Sequence, residues 1–134
     1  MQIVAALWVD NVDFRREYEG GPTKIDITGA YFSTQASEFP ALVTPHLLVL
    51  LRAESDDARV GTLDVTFMRE ADADGVPGEE VGRHRAPVTI QPPGKFFYQL
   101  VRPELTFNEP GTIEAHCAIT ETGSTVVTPL TVVV

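Results

Sequence analysis

The chain has one cysteine, one tryptophan and three tyrosines in 134 residues, and only 10 basic side chains against 19 acidic ones. Each scarcity removes a class of protein. A lone cysteine, Cys117, makes no intramolecular disulfide, so the fold must stand on its core, and a reducing compartment is expected. The shortage of Lys and Arg leaves a formal net charge of -9, which repels phosphate backbones and anionic headgroups. Nucleic acid and membrane are therefore not expected partners. Long apolar runs are missing too. The longest central one, Leu47 to Leu51, falls far below the roughly 20 residues of a spanning helix. The opening Met1-Gln2-Ile3-Val4 has no basic region and is expected to carry no signal peptide, which makes the cytoplasm the expected location.

Catalytic and cofactor motifs are absent as well. Neither G-x-G-x-x-G nor G-x-x-x-x-G-K-[ST] occurs, so no glycine-rich loop is set to cradle phosphate before a helix. The nucleophile elbow G-x-S-x-G is missing. Zinc needs converging Cys and His ligands, and the inventory is Cys117, His46, His84 and His116. His116 and Cys117 are neighbours on a predicted strand, so they point to opposite faces and do not share a metal or form a nucleophile–base pair. Cys117 is expected in the core and His116 on the other face. With one Trp and three Tyr there is little material for a sugar platform, and no cofactor is expected. Arg15-Arg16-Glu17 and Arg83-His84-Arg85 are the basic clusters, and both are expected on solvated faces.

What the sequence does have is alternation. Leu63-Asp64-Val65-Thr66-Phe67 is apolar at every odd position, and Ile113 to Thr120 repeats the period of two. Leu105 with Phe107, Val88 with Ile90, and Leu130, Val132 and Val134 follow it as well. Turn signals separate these runs: Gly20-Gly21-Pro22, Asp72-Ala73-Asp74-Gly75 with Pro77-Gly78, Pro92-Pro93-Gly94, Glu109-Pro110-Gly111 and Thr122-Gly123-Ser124. Short strands spaced by such turns predict one all-β domain over residues 1–134, a two-layer antiparallel β-sandwich of about eight or nine strands. At most one short helix is expected, at Val12 to Glu19, where Phe14 and Tyr18 stand four apart behind Asp10 and Asn11 as caps.

Two strands break the alternation. Ile3 to Val9 and Leu47 to Leu51 are apolar on both faces, which predicts cover on both sides. The cover is either the 11–19 segment of the same chain or a second subunit. On the second alternative the outward set is Val4, Ala6 and Trp8, or Ile3, Ala5, Leu7 and Val9, depending on register. The chain's end at Val132-Val133-Val134 has no charged residue and reads as an exposed edge. Trp8, Val132 and Val134 are accordingly the candidate interface residues of a homodimer. Calcium has weaker candidates, Asp10 and Asp13 after the first strand and Asp72 and Asp74 in the central hairpin. The Asp72-Ala73-Asp74-Gly75 stretch matches only the start of an EF-hand loop, and Asp and Gly at a hairpin tip need no metal.

The stretch Asp10-Asn11-Val12, Arg15-Arg16-Glu17, a glycine turn, then Ile25-Asp26-Ile27-Thr28-Gly29-Ala30-Tyr31-Phe32 resembles the opening of an uncharacterised family of small bacterial, largely actinobacterial, proteins. The closing pattern is similar too, in Glu109-Pro110-Gly111-Thr112-Ile113-Glu114-Ala115 and Pro129-Leu130-Thr131-Val132. Extra residues lie here between Val12 and Gly20. The resemblance implies an immunoglobulin-like β-sandwich and no activity. The function expected is thus a non-enzymatic cytoplasmic interaction module that self-associates or binds a protein partner. The alternative is a small-molecule or calcium-binding sandwich using its acidic loops.

Overall fold

A computed structural model describes residues 1–134, the side chain of Asp57 excepted. Eleven strands run in the order β1 (Gln2–Arg16), β2 (Thr23–Tyr31), β3 (Ser33–Gln35), β4 (Ala41–Val43), β5 (His46–Arg52), β6 (Val60–Arg69), β7 (Glu80–Thr89), β8 (Phe96–Val101), β9 (Leu105–Phe107), β10 (Gly111–Ile119) and β11 (Thr125–Val133). A single 3-10 turn at Asp56–Ala58 is the one helical element among the described residues. The strands exceed the eight or nine expected because β3 and β4 hold three residues each, too few for alternation to show.

The strands form a four-stranded sheet, β2-β1-β5-β8, a five-stranded sheet, β3-β11-β10-β6-β7, and a small β4-β9 pair. The arrangement is all-β and consistent with a β-sandwich. Both large sheets feed one core. Trp8, Leu47, Val49 and Leu51 enter it from the first, and Leu63, Val65, Phe67, Ile113, Ala115, Ile119, Leu130 and Val132 from the second. Trp8 and Phe67 meet at the centre with ring centroids 6.2 Å apart. Burying each such side chain contributes about 1.5–3 kcal/mol, which is what holds the layers together.

The segment Val12–Glu19 is not helical. β1 continues as strand to Arg16, pairing Val12 with Ile27 and Phe14 with Ile25. Phe14 and Val12 fit a period of two as well as Phe14 and Tyr18 fit a helix, and cross-strand bonds to β2 decide for the strand. The hairpin closes at Gly20, whose φ of 76° takes the turn position that disfavours a side chain.

β1 also holds neither of its two simple registers. A β-bulge between Ile3 and Ala5 shifts the pairing with β5, so Ile3 joins Ala6 and Trp8 on the core side while Val4 is exposed. Alternation then sends Leu7 and Val9 outward. The C-terminal strand is likewise not a free edge at its end. β3 pairs parallel to it, Thr131 with Ser33 and Val133 with Gln35. Phe32-Ser33-Thr34-Gln35 has no apolar alternation that marks it as a strand.

One buried charge ties the turns. Arg59 donates to the carbonyls of Ile90 (3.3 Å) and Gly94 and to Asp56 Oδ1 (2.9 Å), pinning the 3-10 turn to the β7–β8 connection. A guanidinium so placed is satisfied by backbone oxygens, as a buried charge must be.

Candidate functional site

The two sheets treat their outer faces differently. On the four-stranded sheet, Val9 and Leu48 point away from the core yet are fully buried. The far end of the β1–β2 hairpin reaches this side of the sheet. The Phe14 ring, carried there by β1, stacks on Tyr98 of β8 at 4.4 Å, and Tyr98 lies opposite Leu50 on that outer face. The 11–19 segment of the same chain thus takes up part of the excess apolar ground on this sheet through Phe14.

Three of the expected interface residues fall apart accordingly. Trp8 and Val132 are fully buried in the core of the same chain, and only Val134 is exposed. The bulge put Trp8 on the core side, and β3 enclosed Val132.

The five-stranded sheet leaves its outer face open. Register places Arg83, Thr66, His116 and Val127 in one row across β7, β6, β10 and β11. A second row holds Met68, Glu114 and Pro129, and a third holds Arg85, Asp64, Ala118 and Thr125. Two concavities adjoin at Thr66 and His116. One, of about 450 Å3, lies between Met68, Glu114 and the β6–β7 loop at Ala71 and Pro77. The other, of about 500 Å3, lies over Asp64, Arg83, Thr125 and Val127. Arg83 is held by Asp64 (Nε to Oδ1, 3.1 Å), and His116 Nε2 stands 3.5 Å from Glu114 Oε1. The Asp64 pair raises the Arg83 pKa further, by hydrogen bonding first and charge second. This face offers an imidazole, a carboxylate, an ion pair and apolar ground, but no hydrogen bond joins Thr66 to His116 among the described residues.

Cys117 lies on the opposite face of β10, buried beside Ile113 and Ala115. Desolvation pushes its thiol up to about 12, so the thiolate a nucleophile or metal needs is withheld. His84 faces inward from β7, opposite Val65, and its Nε2 is buried without a hydrogen-bond partner, as is Trp8 Nε1.

The acidic residues weighed for calcium sit apart and are partly employed. Asp10 and Asp13 stand on β1, where Asn11 Nδ2 donates to Asp13 at 3.2 Å. Asp72 and Asp74 belong to the β6–β7 loop. There Asp72 Oδ1 accepts the backbone N–H groups of Asp74 and Val76, each at 2.9 Å, and Gly75 turns at φ 79°. These bonds build a tight turn. Among the described residues, no three His, Cys, Asp or Glu side chains are placed to hold one metal ion, and no helix is long and apolar enough to cross a membrane.

Sequence patterning located His116, Cys117 and the loop aspartates, but not the open groove. The groove depends on which strands lie side by side, and β7-β6-β10-β11 is not sequence order. Comparisons with protein-family models, with curated proteins and with solved structures find no match to the chain.

Proposed function

We propose that this domain is a non-enzymatic cytoplasmic interaction module that binds a protein partner on the outer face of its five-stranded sheet. One observation carries the proposal: the chain's own hairpin lays Phe14 on Tyr98 of the other sheet, while the outer face of this sheet is left open, grooved and partly apolar. Flat, exposed apolar ground rimmed by charge is what a partner's side chains bury.

The reading includes an immunoglobulin-like topology. β11-β10-β6-β7 follows the order of the last, next-to-last and two middle strands of such domains, with β5 and β8 adjacent in the opposite sheet. That arrangement supports membership in the uncharacterised bacterial family whose opening and closing strands this chain resembles.

The test is capture of a partner from a lysate of the source organism, by the wild-type chain and by three variants. His116→Asp and Val127→Lys on the open face are expected to abolish a capture that Thr28→Lys, on β2, leaves intact. Capture that survives both face substitutions overturns the proposal.

A second reading, a small ligand held beside an acidic loop, is favoured by the 450 Å3 concavity against Ala71 and Pro77, which falls in the size range of small-molecule sites. Met68→Trp fills that concavity. It is expected to remove any ligand-induced rise in melting temperature.

A further inference from the structure

The free edges of the two sheets are not equally protected. β2 carries Lys24 and Asp26, β7 carries Arg83, Arg85 and Pro87, and β3 is three residues long. Above β3, the open stretch of β11 is interrupted by Pro129. Charge, proline and brevity are the usual means of preventing edge-to-edge pairing. β8, the remaining edge, reads Phe96-Phe97-Tyr98-Gln99-Leu100-Val101, with neither charge nor proline. Phe96 and Phe97 are 52% and 38% exposed, an expensive way to end a sheet unless something adds to it.

We propose that β8 pairs antiparallel with β8 of a second copy across a two-fold axis, joining two four-stranded sheets into one. A second copy is favoured because the edge is complementary to itself in one register. Opposed residues in an antiparallel pair share a face, so the axis must pass beside a single residue. Centred on Gln99, Phe97 meets Val101 on the inner face and Tyr98 meets Leu100 on the outer. Phe96 then meets Arg102, a ring against a guanidinium. Gln99, the one polar side chain of the strand, meets its own copy, and two amides satisfy each other as donor and acceptor. Centred on Tyr98, Gln99 would instead face Phe97 and Lys95 would face Val101. Aromatic-to-aliphatic cross-strand pairs favour the first register.

In one chain the rings of Phe97 and Tyr98, neighbours on opposite faces, lie 4.9 Å apart. Pairing requires the two rings to part onto their own faces, Tyr98 keeping its stack on Phe14. Side-chain changes of that kind are routine at interfaces. A six-residue edge contact falls below about 1,200 Å2, the class of weak association. The dimer is therefore read best by trapping it.

The test uses the full chain with Gln99→Cys under mild oxidation at high micromolar concentration. In the proposed register the two residues at 99 are directly opposed, within the roughly 7 Å between Cα atoms that a disulfide spans. Tyr98→Cys is offset by two residues along the strand and falls outside that reach. A disulfide-linked dimer from Gln99→Cys and not from Tyr98→Cys is expected, and Phe97→Lys added to Gln99→Cys is expected to lower its yield about tenfold. Cys117 does not interfere, being buried. Monomeric Gln99→Cys, equal trapping of both variants, or trapping indifferent to Phe97→Lys each overturns the proposal. The open face of the other sheet is untouched by these variants, so partner capture stands or falls separately.

Discussion

Cys117, Ile113, Ala115 and Ile119 share the buried side of β10, and Glu114, His116 and Ala118 share the other. The period of two is enough to assign both sets, and it carries a chemical consequence for the thiol. An unfolded chain loses the cysteine proton near its ordinary value, while the folded chain keeps it until about 12. Between those values the native state binds more protons than the unfolded one, so stability falls as pH rises. Urea melts at stepped pH above about 9 should show the wild type losing up to about 1.4 kcal/mol per unit more than Cys117→Ala. Equal slopes for the two chains would mean the thiol is not sheltered. At neutral pH the same residue is expected to label slowly with a thiol reagent. Trp8 is the largest wholly buried side chain. Trp8→Ala should cost about 3–5 kcal/mol, read by denaturant unfolding followed by circular dichroism.

At the scale of elements, the β1–β2 hairpin contributes an outer layer that strand patterning half anticipates. Ile3–Val9 and Leu47–Leu51 announce two buried faces by composition alone. What covers the second face, a neighbouring segment or a second subunit, is not decided by composition. The choice rests on a contact between Phe14 and Tyr98, residues 84 positions apart, and local pattern has no reach over that distance. The bulge at Ile3 was equally invisible, because every residue from Ile3 to Val9 is apolar and any register looks acceptable. Where polar residues alternate, as in β6 and β10, the register was legible to the residue. The hairpin's clasp can be measured. A double-mutant cycle on Phe14→Ala and Tyr98→Ala should give a coupling of about 0.5–1.5 kcal/mol in favour of the pair, and a coupling near zero would detach the hairpin from the face it covers. In the β6–β7 loop, Asp72→Ala removes the acceptor of two backbone N–H groups and should cost about 1–3 kcal/mol. Millimolar calcium should leave the wild-type melting temperature unchanged, since Asp72 already spends one carboxylate oxygen on the turn. A rise of several degrees would reverse that assignment.

For the whole molecule, the surplus of acidic charge bears on any pairing of copies. Two chains of net charge -9 repel at long range, and salt screens that repulsion over a Debye length of about 10 Å at 0.1 M. Association through β8, which contains no charged residue, should therefore tighten as salt rises. Sedimentation at about 0.05 M and about 0.5 M salt reads the sign directly. Weakening with salt would point to an ion-paired contact elsewhere on the surface. The far-ultraviolet circular dichroism spectrum should be that of an all-β chain, with no α-helical minimum.

The bulge in β1 has a consequence for how this chain tolerates change in length. A strand has a reading frame of two, and Val4 acts as an inserted letter that shifts the phase of everything after it. Before it, Ile3 is in phase with the core; after it, Ala6 and Trp8 are. Deleting Val4 restores an unbroken frame, in which Ile3, Ala6 and Trp8 fall on one face by plain alternation. The deletion should therefore be tolerated about as well as Val4→Ala, which removes the same exposed side chain and leaves the bulge in place. An insertion of one residue ahead of Met1 alters no phase and should be silent.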